Sequence, residues 1–134
     1  MSEPHVLVRV REVMKPGVDI IDGVITVGDA LRQMKYTDNR ALIVDRRHPD
    51  DEYGIVLLAD IARLVLARDR SPERVNVYEI MSKPVIGVDP AMDIRYCARL
   101  FEKFGLSMAP VIEAGQVIGL VSYNDLVLKG MLRG

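Results

Sequence analysis

Apolar positions in this chain fall into two rhythms that alternate along its length. Val117 to Val121 is a nearly continuous branched apolar run broken once by Gly119, the pattern of a buried strand. Beyond Ser122, the residues Leu126, Val127 and Met131 return at helical spacing. The same change of rhythm occurs earlier, where Gly54 to Leu58 reads as a strand and Ala59 to Ala67 as a helix. In that helix Ile61, Leu64, Val65 and Leu66 cover more than one stripe, which predicts contact on two sides. Ala41 to Val44 and Met108 to Ile112 are short apolar runs and predict middle strands. A helix is predicted over Asp29 to Lys35, burying Ala30, Leu31 and Met34, and another over Asp93 to Phe104. In the latter Ile94, Cys97, Ala98 and Phe101 mark one face, and Gly105 closes it as a C-cap. Asp22-Gly23 and Ala114-Gly115 predict tight turns, and His48 to Glu52 a solvated hairpin loop.

The order is written twice. Asp125 follows Asp60 at an offset of 65 (125 minus 60), each six residues after a glycine, Gly119 or Gly54. Val10-Arg11-Glu12-Val13-Met14 matches Val77-Tyr78-Glu79-Ile80-Met81 at an offset of 67 (81 minus 14). The chain is therefore a tandem duplication, with the N-terminal arm and repeat 1 over residues 1–70 and repeat 2 over residues 71–134. Arg68 to Arg74 forms the linker, and Pro84 to Val88 is expected to be extended.

Length and composition narrow the class. A length of 134 residues suits one domain or two small halves sharing a core. Because each half is near the size at which a core is marginal alone, the halves are expected to pack on each other. A net charge of −1, two Phe and no Trp argue against a nucleic-acid partner. No apolar run is long enough to span a bilayer and no signal-peptide pattern opens the chain, so the expected setting is cytoplasmic, with no membrane partner. Cys97, the one cysteine, lies on an apolar stripe and reads as a buried structural thiol. His5 and His48 have no ligand cluster around them, so neither a metal nor a catalytic residue is expected.

The chemistry concentrates at Ser122 and Asp125. A strand that delivers a serine and a carboxylate to a helix N-terminus offers backbone N–H groups and a dipole end to an anion, and an acceptor pair to a vicinal diol. The same Ser-x-x-Asp pattern also serves as a capping box, which has no ligand at all.

The ordered duplication of Val-x-x-[Val/Ile]-Met with a following Pro, a helix, an apolar strand and Gly-x-x-[Ser/Thr]-x-x-Asp resembles a tandem pair of CBS domains. The resemblance implies an α+β fold of two pseudo-symmetric β-α-β-β-α repeats packed through their sheets. It further implies clefts between the repeats for adenosine nucleotides, dimerisation, and regulation of an unnamed effector in place of catalysis. Carried across, the aspartate that holds ribose is Asp60 or Asp125, and the hydroxyl beside phosphate is Ser122, for which repeat 1 has Leu57. The adenine surface falls on Ile20, Ile21, Ala41 and Leu42 in repeat 1, and on Val85, Ile86, Met108, Ala109 and Pro110 in repeat 2. Arg40 falls where the family often has a cation, with Met108 taken as its counterpart. Lys83, Arg95, Arg99 and Lys103 are further cations within reach of a phosphate or exposed to solvent. Without a dense basic cluster, AMP is expected over ATP, and Ser122 makes repeat 2 the tighter site. The alternatives are a structural dimerisation module that binds no nucleotide, and a sensor of S-adenosylmethionine or a dinucleotide.

Overall fold

The computed structural model describes residues 7–133, so His5 and the start of the N-terminal arm lie outside the described residues. The chain folds into two compact units whose limits differ from those of the sequence repeats. One is contiguous and runs from Val18 to Val85; the other is split, taking the chain up to Gly17 and again from Ile86 onward. A division at residue 70 marks the duplication, whereas packing divides the chain at 17/18 and 85/86. Each unit thus includes the lead-in segment that the sequence assigns to the opposite repeat.

The contiguous unit carries β1 (Ile20–Ile21), α2 (Val27–Gln33), β2 (Ala41–Val44), β3 (Gly54–Leu57) and α3 (Leu58–Ile61), which continues as a π-helix over Ala62–Leu66. Its sheet has the order β1-β2-β3, with β1 parallel to β2 and β3 antiparallel. Helix α2 starts earlier than expected because the Thr26 hydroxyl accepts the Asp29 N–H at 3.1 Å and so caps it. Val27 and Ala30 are buried, whereas Leu31, predicted to be internal, is 39% exposed. The linker is pinned to α2: the Arg32 guanidinium makes two 2.8 Å bonds to the Glu73 carboxylate, and the Gly28 N–H donates to the Pro72 carbonyl. A core forms around Leu42, Val56, Val27 and Val65, joined by Val75, Val77 and Ile80 from the lead-in of repeat 2.

The split unit begins with α1 (Val10–Val13) and adds α4 (Ile94–Phe104), β4 (Met108–Glu113), β5 (Gln116–Ser122) and the π-helical α5 (Asp125–Gly130). Strands β4 and β5 pair antiparallel through a turn in which Ala114 and Gly115 both have positive φ, at 51° and 77°. Val88 adds a single parallel bridge to Val111, as Ile21 does to Val44. Asp93 caps α4 by accepting the Arg95 N–H at 2.9 Å, and Gly105, at φ 65°, ends it. The core gathers Phe101, Cys97, Val111 and Val121, together with Val8, Val10 and Val13 from the other end of the sequence.

Matching contacts fix the two lead-in segments. In the split unit Lys15 and Leu120 exchange backbone hydrogen bonds of 2.8 and 2.9 Å, and Gly119 leaves room for Met14: a Cβ there would stand 2.7 Å from its sulfur. In the contiguous unit Ser82 and Ile55 make the same exchange, both at 2.9 Å, and Gly54 makes room for Met81. The glycines of the repeated motif thus serve close packing of the methionine from the lead-in segment.

Candidate functional site

In each unit the middle strand starts beside the point where the returning strand enters a helix. Met108 stands opposite Ser122 across β4 and β5, and Ala41 opposite Leu57 across β2 and β3. The carbonyl of the residue before each middle strand accepts the N–H of the first helical turn, Ser107 from Tyr123 at 3.2 Å and Arg40 from Leu58 at 2.9 Å. The structural counterpart of Arg40 is therefore Ser107, one residue before the Met108 chosen from sequence spacing.

At the split unit's junction the Asp125 carboxylate is 3% exposed and fully engaged by its own chain. One oxygen accepts the Ser122 N–H at 2.9 Å and the Ser122 hydroxyl lies 3.0 Å from it, while Lys129 stands 3.2 Å and Lys15 3.8 Å from the other. Lys129 also donates to the Val13 carbonyl at the end of α1, at 3.3 Å. Ser-x-x-Asp is thus a working capping box. At the contiguous unit's junction Asp60 accepts the Leu57 N–H at 2.9 Å, but Leu57 has no hydroxyl to return the bond. The second Asp60 oxygen pairs with Arg63 at 2.9 Å; the two side chains are 16% and 65% exposed respectively.

The other predicted residues divide by burial. Ile21, Ala41, Leu42, Ala109 and Pro110 are buried; the side chains of Ile21, Leu42 and Ala109 belong to the cores, whereas those of Ala41 and Pro110 join neither core. Ile20 is 44% exposed and lines a cavity of about 560 Å³ with Val18, Lys35 and Tyr36. Buried Asp19 stiffens that wall by accepting the N–H groups of Lys35 and Tyr36, each at 2.9 Å. Arg40 is exposed, in the left-handed region at φ 59°, and makes no ion pair among the described residues. Val85 and Ile86 are half-buried, and Val85 belongs to the contiguous unit, where its N–H donates to the Tyr53 carbonyl. By strand register the counterparts of Ile20 and Ile21 are Gly87 and Val88, two residues later than the sequence pairing.

Most of the remaining cations already have partners. Lys83 holds Asp51 at 2.8 Å, and this ion pair keeps the Asp51 carboxyl well below the ordinary carboxylate range. Arg95 grips Asp93 at 2.6 Å and lowers its pKa likewise. Arg99 and Lys103 lie over the rings of Tyr96 and Phe104. Burial pushes the Cys97 thiol up to about 11, which leaves it without nucleophilic character at neutral pH. Sequence reasoning passed over Lys129, Lys15, Lys35 and Tyr36. The i,i+4 spacing of Asp125 and Lys129 was legible on a helix, but Lys15 reaches the junction only through the exchange of lead-in segments.

Comparison with known proteins agrees with this architecture. Residues 77–130 match the CBS domain family. A hexameric CBS-CP12 protein from bloom-forming cyanobacteria is 40% identical over 92% of this chain and 72% of its own, with a TM-score of 0.87. A CBS domain pair in complex with 5′-methylthioadenosine and S-adenosyl-L-methionine shares the fold, with a TM-score of 0.80 over 96% of this chain and 100% of its own, at 20% identity. An uncharacterised protein of Methanopyrus kandleri is 27% identical over 81% of this chain and 57% of its own. The chain spans 49–59% of the length of the curated relatives it matches. The chain belongs to the CBS-domain family and carries two CBS repeats.

Proposed function

We propose that this chain is a regulatory, non-catalytic module that binds an adenosine nucleotide, AMP foremost, and relays its presence to an effector protein. The observation that carries this reading is the geometry of the junctions: a carboxylate on a helix's first turn, beside the start of a middle strand whose backbone can read a base edge. The adenosine compounds held by a CBS pair of the same fold support the class of ligand, and make S-adenosylmethionine the second candidate. Binding would act by differential affinity for two arrangements of the module. A homodimer fits the same reading, because Leu66 at the end of the continuation of α3, Val127 and Leu128 on α5 and Met131 just beyond it are 77%, 46%, 63% and 70% exposed. We place its action in the cytoplasm, which a buried, unpaired cysteine supports; among the described residues no helix is long and apolar enough to cross a membrane.

The test is a thermal-shift and calorimetric comparison of AMP, GMP and S-adenosylmethionine. A ligand present at 100 times its Kd stabilises by about 2.7 kcal/mol. A backbone-read adenine edge should disfavour GMP by roughly tenfold or more, since each unmatched buried group costs about 1–3 kcal/mol. Equal affinity for AMP and GMP would refute the adenine assignment, and no binding of any of the three would leave the structural dimerisation reading.

A further inference from the structure

We infer that the two junctions have diverged: Lys15 and Lys129 close Asp125 to ligand, and Asp60 is the carboxylate that receives the ribose. This rests on the reading of the module as an adenosine-nucleotide binder. It reverses the order of affinity that Ser122 suggests from sequence.

The argument starts from what each carboxylate already holds. For Asp125 to accept a diol, Lys129 would have to leave it and also leave the Val13 carbonyl, to which it is bonded at 3.3 Å. That carbonyl ends α1, and Lys15, the other cation on the same oxygen, is held in place by its backbone exchange with Leu120. Displacement therefore disturbs the fastening of the lead-in segment as well as an ion pair. Asp125, at 3% exposure, also has little surface to offer.

The contiguous unit has neither lysine. The residue matching Lys129 is Leu64, which packs against the core, and the residue matching Lys15 is the exposed Ser82. Asp60 is left with Arg63, whose side chain is 65% exposed and rotates into solvent at small cost. The same unit supplies the unpaired cation Arg40 and the cavity beside Ile20. Lys15 and Lys129 are thus specificity-determining residues that act by occupying Asp125.

The experiment is AMP calorimetry on the full chain, paired with thermal melts. The parent should bind one AMP per chain. Asp60→Asn should weaken binding at least tenfold, while Asp125→Asn keeps the affinity within about threefold but lowers the Tm by about 5 °C or more. Exchanging the lysines for the residues of the other unit, Lys15→Ser with Lys129→Leu, should add a second AMP per chain. Two equivalent sites in the parent, or loss of binding in Asp125→Asn with retention in Asp60→Asn, overturns the inference. If no variant binds AMP, the adenosine reading itself fails, and the melts still decide the role of the lysines. Equal Tm losses in the two Asn variants would show that Asp125 holds no special structural place and would overturn it.

Discussion

Two glycines in equivalent positions face equivalent neighbours at different distances, and the difference sets a measurable contrast. A Cβ on Gly119 would stand 2.8 Å from the Lys15 carbonyl, a backbone atom held by its own hydrogen bond to Leu120. A Cβ on Gly54 would meet the Met81 sulfur at 2.9 Å, the end of a flexible side chain, with backbone no closer than 3.4 Å. Gly119→Ala should therefore cost about 1–3 kcal/mol, with a smaller loss for Gly54→Ala, where a methionine rotamer can adapt. Urea denaturation of the two single variants checks this, and equal midpoints would show that Met14 and Lys15 give way as readily as Met81. At this scale the sequence was legible as chemistry but not as occupancy. Ser122 and Asp125 stand out in the motif, yet nothing near them in the chain announces that Lys15, more than a hundred residues away, sits on the same carboxylate.

Among the elements, the strands and α4 were readable because their apolar periodicity is strong and local. Cys97 and Phe101, placed on one face by spacing alone, are both fully buried. The apolar spacing over Ala59 to Ala67 predicts contact on two sides, and the structure shows which side chains do what. Ile61 and Val65 lie in the core at 9% and 2% exposure, whereas Leu66 stands 77% exposed. A charge at Val65 would unfold the unit, so it cannot report on association. Leu66→Glu leaves the core intact and should shift the proposed dimer toward monomer, read as a lower mass by light scattering at micromolar concentration. An unchanged mass would move the proposed contact elsewhere, with Leu128 on α5 and Met131 just beyond it as the next positions to probe. Helix α2 was misplaced by two residues for a local reason. The capping hydroxyl of Thr26 sets its start, and its buried face carries Val27 and Ala30 while Leu31 stands 39% exposed.

For the molecule as a whole, duplication was visible in the sequence, but the route of the chain between the two units was not. Residue patterns record which segments resemble each other, while packing depends on which methionine fills the space above which glycine. Because the lead-in segments are exchanged, one unit is a single uninterrupted stretch and the other is completed by residues from both sides of it. The two must then mature at different times as the chain is synthesised. Once Val85 has emerged, the stretch from Val18 holds every strand of its sheet and every residue of its core. Val10 and Val13, made first, have no counterpart until Phe101, Val111 and Val121 follow, and closing that long interval carries an entropic cost that grows only slowly with its length. A fragment of residues 18–85 should accordingly melt cooperatively by circular dichroism, and a fragment of residues 86–134 should do so only when a peptide of residues 1–17 is added. If the later fragment folds unaided, the N-terminal segment is an accessory, and the nascent chain has no wait to endure.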